Sequence, residues 1–200
     1  MNFSLRIFML AATIFLASCS EPSNTDLAGE WAVNGDESHI AFVSIKSGTI
    51  VEAHSFQSIK GTVSPDGRAE IDIALDSVET LIDLRDERMR EFLFETDTHP
   101  NSTITTQLDP TAFSTMGVGE SITHPVLATL NLHGEEVEIE TDLAVTRIGA
   151  DKMLVSTVTP IIIRADDFGL GTGLEKLREL ANLPSITPEV PVTISIVFTR

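Results

Sequence analysis

Five histidines, one cysteine and a short cluster of arginines are the side chains of this 200-residue chain best suited to chemistry. His39, His54, His99, His124 and His133 stand well apart, and no two have the i, i+4 spacing of paired ligands on a helix. Cys19 is the only thiol, so mixed Cys/His zinc sets are excluded and no metal site is expected. No Gly-x-Ser-x-Gly elbow marks a nucleophilic serine. Carboxylates are spread so widely that no pair stands out as an acid–base couple. Gly169-Leu170-Gly171-Thr172-Gly173 follows a run of strand character and leads into a helical pattern, which is the setting of a dinucleotide phosphate loop. The third glycine is one position early, however, with Leu174 where it is required. About thirty residues remain after it, too few for the rest of a nucleotide domain. The run therefore reads as a flexible turn into a short helix. Arg85, Arg88 and Arg90 put three basic groups within six positions. Asp86, Glu87 and Glu91 sit at helical spacings that pair such charges along a solvent face. The functional alternative places Arg85 at a pocket mouth, donating to a ligand oxygen. Nothing in this inventory demands catalysis.

The elements that must hold these residues begin with a targeting segment. Arg6 is the only charge before Cys19; Ile7–Ala12 and, beyond Thr13, Ile14–Ala17 follow it. This stretch is shorter than the roughly 20 apolar residues of a permanent span and reads as a secretory leader. Its ending, Leu16-Ala17-Ser18-Cys19, resembles the lipobox of bacterial lipoproteins. The resemblance implies cleavage before Cys19, a diacylglycerol on its sulfur and a third acyl chain on the new amino terminus. Such a set of chains meets the requirement for stable membrane anchoring and accounts for a lone cysteine in an oxidising compartment. The expected organisation is a leader over residues 1–18, a lipidated N-terminus and tether over 19–30, and one domain over 31–200. The expected location is the periplasmic face of the bacterial envelope, with Ser20 after the cysteine favouring the outer membrane.

Thirty acidic residues against thirteen basic ones give a formal charge of −17. A surface of that sign repels nucleic acid, which is excluded as a partner. Beyond the tether, period-two alternation dominates. Val137, Ile139, Thr141, Leu143 and Val145 fall on one face of a run, and Glu136, Glu138, Glu140, Asp142 and Ala144 on the other. The same alternation marks 69–75, 126–132 and 190–198, with further strands expected over 39–45, 49–52, 56–63, 102–108 and 152–163. Ser64-Pro65-Asp66-Gly67 and His133-Gly134-Glu135 supply hairpin turns, so neighbouring strands should be antiparallel. Helical spacing appears only over 86–94 and over 173–183, the second stopped by Pro184. About eight strands with one apolar face each must close into a sandwich or a barrel, and the acidic outer faces favour the barrel.

The order of several segments resembles the YceI-like family of lipid- and polyisoprenoid-binding proteins of the bacterial envelope. Trp31 opens a first strand leading to Ser38-His39-Ile40-Ala41-Phe42, and Gly61-Thr62-Val63 precedes the Gly67 turn. Ser77-Val78-Glu79-Thr80, Arg85-Asp86-Glu87-Arg88-Met89 with Leu93-Phe94, and His99-Pro100-Asn101-Ser102-Thr103-Ile104 follow in turn. Leu130-Asn131-Leu132-His133-Gly134 and Arg164-Ala165-Asp166-Asp167-Phe168-Gly169 complete the series. The helix over 173–183 and the connection to Pro191 are longer than in the simplest members. The resemblance implies an all-β fold, an eight-stranded antiparallel lipocalin-like barrel with one or two short rim helices, holding a long isoprenoid or fatty-acyl chain. Barrels of eight strands can enclose one such ligand. Face and bulk nominate Phe42, Phe56, Leu75, Met89, Phe92, Phe94, Leu130, Leu132, Ile163 and Phe168 for the pocket, with Arg85 for a head group. The acidic charge favours a neutral head such as a quinone over a pyrophosphate, and no further cofactor is expected. The leading expectation is non-enzymatic carriage or storage of an isoprenoid lipid or quinone, with a homodimer left open. The alternatives are a lipid-acting enzyme using His39 or His133, and an acidic adaptor with a filled interior. Alternation alone does not distinguish a hollow from a packed core.

Overall fold

The computed structural model describes residues 29–200; the leader, Cys19 and most of the tether lie outside the described residues. Twelve strands form in the described residues: β1 (Trp31–Val33), β2 (His39–Lys46), β3 (Ile50–Phe56), β4 (Ile59–Val63), β5 (Arg68–Ala74), β6 (Val78–Glu79), β7 (Asn101–Gln107), β8 (Ser121–Leu132), β9 (Glu135–Gly149), β10 (Lys152–Thr157), β11 (Ile161–Arg164) and β12 (Glu189–Thr199). Several are halves of one bent stave: β1 with β2, β3 with β4, β5 with β6, and β10 with β11. Counted that way, eight antiparallel staves close a ring, because β12 pairs with β10 and β11 on one edge and returns to β1 and β2 on the other. This is the expected eight-stranded lipocalin-like barrel.

The breaks in the staves have local causes. The run expected over 56–63 divides at Gln57-Ser58, whose N–H groups leave the ladder for the carbonyl and hydroxyl of Ser77. The run expected over 152–163 divides between Thr157 and Ile161, where Pro160 has no N–H to donate. The β8–β9 hairpin is longer than its clearest alternation. It turns tightly through His133 (φ 55°) and Gly134 (φ 85°), the two positive angles that a two-residue hairpin requires.

One stretch of wall is not closed by hydrogen bonds. β10 pairs with β9 only from Leu143 onward, and the Val158 N–H to the Asp142 carbonyl (3.2 Å) is the last link. Beyond it, residues 136–141 of β9 pair only with β8, and β11 pairs only with β12. A seam thus separates the early half of β9 from β11.

Two helices close one end of the barrel. α1 (Asp83–Arg88) begins three residues before the helical spacing suggested and widens into a π-helical turn over Met89–Leu93. α2 (Gly171–Leu180) ends at the left-handed Asn182 (φ 51°), ahead of Pro184. The glycine-rich run fits this packing: Gly169 adopts φ 67°, and a Cβ on Gly173 would lie 2.3 Å from the Phe92 carbonyl oxygen. Gly173→Ala should therefore force α2 off the π turn and cost about 1–3 kcal/mol, read as a lowered denaturation midpoint. Beneath the helices, Leu75, Met89, Leu93, Phe94, Leu132 and Phe168 form one buried cluster. Trp31, Ile40, Ile73, Met116, Val145, Ile196 and Phe198 form another in the body of the barrel.

Candidate functional site

Period two places one face of every stave toward the axis. On β9 the inward residues are Ile139, Thr141, Leu143 and Val145, while Glu136, Glu138, Glu140 and Asp142 face solvent. β5 turns in Ala69, Ile71 and Ile73; β8 turns in His124, Val126, Ala128, Leu130 and Leu132; β12 turns in alternate residues from Val190 to Phe198. These side chains enclose a cavity of about 540 Å³ whose lining is aliphatic and aromatic almost throughout. At roughly 30 Å³ per methylene-sized group it has room for about 18 of them. The helical end is sealed by the buried Leu93, Phe94 and Leu170. The lining residues that are exposed, Pro65, Pro110, Thr111 and Ser114, all lie at the opposite end, which is the mouth.

Of the residues nominated from sequence, Phe42, Phe56, Leu75, Phe94, Leu130, Leu132 and Ile163 line this cavity. Met89 and Phe168 are buried in the cluster beneath the helices and do not line it. Phe92 is half-buried with the Lys176 ammonium 5.9 Å from its ring. Arg85 is not at the mouth. Its guanidinium bonds Glu52 (2.8 Å) and the Thr80 carbonyl (2.6 Å), behind the β2–β3 hairpin end of the cavity. The β9 and β12 linings carried the signal that bulk missed, since their alternation named the inward face through residues that are almost all aliphatic.

The histidines have separate fates. His39 is exposed, and neither it nor His133 lines the cavity. His133 Nε2 bonds Glu95 (2.9 Å), and its ring centroid lies 4.3 Å from that of His99. Among the described residues, no three His, Cys, Asp or Glu side chains are grouped to hold a metal ion. His124 lines the cavity near the mouth, edge-on to Phe113.

His54 is 5% exposed, with Nε2 bonded to the Ser44 hydroxyl at 2.8 Å. It belongs to a polar group in which Glu52 also pairs with Lys46 (2.5 Å), and the buried Asp86 accepts from the Thr80 N–H and hydroxyl. Burial, helped by the positive Arg85, holds the imidazole pKa below its ordinary 6.5. The Lys46 hydrogen bond holds the Glu52 carboxyl below its ordinary 4.5 despite some desolvation. As pH falls the unfolded chain takes the histidine proton first, so that stability is full above about 6.5 and declines below it. Melting temperature should drop between pH 7.5 and 5.5, and His54→Phe should flatten that drop; an unchanged slope in the variant would refute the assignment.

Residues 31–198 match the YceI-like domain. The chain belongs to the YceI-like family. Among solved YceI-like relatives, a polyisoprenoid-binding domain from Saccharophagus degradans, implicated in plant cell wall breakdown, is 38% identical with a TM-score of 0.83. The match covers 84% of this chain and 97% of that one. Burkholderia cenocepacia BcnA shares the fold at 18% identity and TM-score 0.62, covering 82% and 98% of the two chains. The YceI protein of Campylobacter jejuni shares it at 15% identity and TM-score 0.53, covering 74% and 84%. No curated protein matches the chain.

Proposed function

We propose that this YceI-like domain binds, and carries or stores, a long-chain isoprenoid lipid with an uncharged head such as a quinone, without chemically altering it. The observation that carries this reading is the hollow: an apolar cavity of about 540 Å³ where a packed core would otherwise be. A relative 38% identical is described as polyisoprenoid-binding, which supports the same ligand class. The adaptor reading rested on a filled interior and loses its basis. Each buried methylene contributes about 0.8 kcal/mol, so ten give about 8 kcal/mol gross against an association cost on the order of 4 kcal/mol or more. One head-group hydrogen bond adds about 1 kcal/mol. The tail therefore sets affinity and the head sets register. The acyl chains proposed for Cys19 would hold the domain at the envelope, facing the periplasm, where such lipids reside.

Native mass spectrometry of the full-length protein, extracted from the envelope of its own host, tests both parts. The expected spectrum shows a covalent acyl increment that survives denaturation and a non-covalent prenyl-lipid mass that does not. A protein carrying no lipid beyond its anchor, and taking up none when offered prenylquinone, would overturn the carrier reading.

A further inference from the structure

The chain enters the barrel at its mouth. Gly29 lines the cavity, and a Cβ on it would lie 3.7 Å from the Arg200 guanidinium. Trp31 pairs with Val63, the residue before the Ser64–Gly67 turn. From there a chain of contacts runs around the opening. The Leu108 N–H donates to the Gly67 carbonyl (2.9 Å), Arg147 ties Met116 to Ala150, and Arg200 donates to Asp151 (3.0 Å). The start of the domain and the opening of its cavity therefore share one end of the barrel. The helices and the β8–β9 hairpin occupy the other.

Residues 20–28 separate Cys19 from Gly29, and the Cα path between the two spans at most about 36 Å at full stretch. β9 has 15 residues, about 50 Å at 3.3 Å each and about 38 Å along the axis once tilted near 40°. With the helical end on the bilayer, Gly29 would stand farther from Cys19 than the tether reaches. Lying on its side, the barrel would press the solvent-facing Glu138, Glu140 and Asp142 against the head groups. The mouth-down pose meets neither obstacle, and its rim exposes apolar side chains. Ile148 follows Arg147, and Val118 precedes Gly119, whose N–H bonds the Arg147 carbonyl (2.7 Å); both are exposed, as are Pro65 and Pro110. Asp66, Asp109 and Glu120 are exposed on the same rim, so a zwitterionic surface suits it better than an anionic one. The helical end also exposes leucines, Leu81 and Leu84, but the tether keeps them off the anchored bilayer.

Resting on the carrier reading above and on the acylation proposed for Cys19, we propose that the mouth rim is a membrane-docking surface. It seats on the zwitterionic face of the bilayer that holds the anchor, and the cargo passes between bilayer and cavity without crossing water.

The test reconstitutes the full-length acylated protein in phosphatidylcholine vesicles that contain a lipid with a nitroxide on its head group. Trp31 is the only tryptophan and lies at the mouth end, so its fluorescence should be quenched. Leu84→Trp in a Trp31→Phe background reports the helical end and should stay bright. Val118→Asp combined with Ile148→Asp changes two residues that do not line the cavity. It should relieve the quenching of Trp31 and slow prenylquinone uptake from the vesicle about tenfold, the least that losing one buried apolar side chain would give. Uptake from detergent should be unchanged. A bright Trp31, a quenched reporter at position 84, or a doubly substituted rim that quenches and loads like wild type overturns the docking. Stronger quenching on phosphatidylglycerol vesicles overturns the zwitterionic assignment. Protein that does not enter vesicles overturns anchor and docking together, and loading from detergent then leaves the carrier reading standing. Loading from neither source removes the carrier reading and the cargo transfer with it, and the quenching alone then decides the docking.

Discussion

Ala128→Trp is expected to abolish prenyl-lipid binding while leaving the domain as stable as wild type or more so. Ala128 lies on β8 between Thr106 of β7 and Ile139 of β9, and all three line the cavity. An indole there adds nine heavy atoms, about half of the 18 methylene-sized places the cavity offers. Losing nine buried methylenes removes up to about 7 kcal/mol of gross binding energy, so affinity should weaken by at least a thousandfold. The same substitution in a packed core would be overpacking and would destabilise by about 1–3 kcal/mol. The two outcomes therefore distinguish a hollow from a core. Displacement of a fluorescent fatty acid measures binding, and a thermal melt measures stability. Retained binding, or a collapse in melting temperature, would show that the space is not where the ligand sits.

The largest loss of stability is expected from Arg147→Leu. Arg147 is 1% exposed, and its guanidinium donates to the carbonyls of Met116 (2.7 Å), Ala150 (2.9 Å) and Gly149 (3.3 Å). Its own backbone N–H and carbonyl bond Glu120 and Gly119. One side chain thus ties the segment before β8 to the β9–β10 hairpin. Leucine fills part of the volume but leaves the Met116 carbonyl buried and unpaired, at about 1–3 kcal/mol, and takes the donor from the less buried Gly149 and Ala150 carbonyls, at about 1 kcal/mol each. Allowing for relaxation, a total near 4 kcal/mol is expected. At about 2–4 °C per kcal/mol for a domain of this size, the melting temperature should fall by roughly 8–16 °C. A change below about 1 kcal/mol in urea titration would show that water or backbone shifts satisfy those carbonyls.

Much of the barrel is legible from alternation, because an inward apolar residue every second position is the physical requirement for closing one. The parity of 137, 139, 141, 143 and 145 reads directly as wall. Followed two residues further, it reaches Arg147, whose inward position the sequence states but whose charge argues against. The same parity run outward from Phe42 and Phe56 reaches Ser44 and His54. Polar identity conceals these sites, since a buried polar group depends on partners far away in the chain. Bulk misled in the opposite direction: Met89 and Phe168 are large and apolar, yet they fill the plug beneath the helices rather than the cavity wall. The void itself has no local signature, because an aliphatic side chain facing a ligand and one facing another side chain look the same in one dimension.

The seam between the early half of β9 and β11 leaves two strands with bare hydrogen-bonding rims. Such rims invite a foreign strand to zip on, which is how β-sheets fuse into aggregates. Here Glu136, Glu138, Glu140 and Asp142 stand beside the opening, all solvent-facing. Two copies meeting rim to rim would press eight carboxylates together. The acidity that marks the whole chain thus works locally as a spacer between copies, and high salt, which screens those charges, is expected to raise self-association as read by sedimentation.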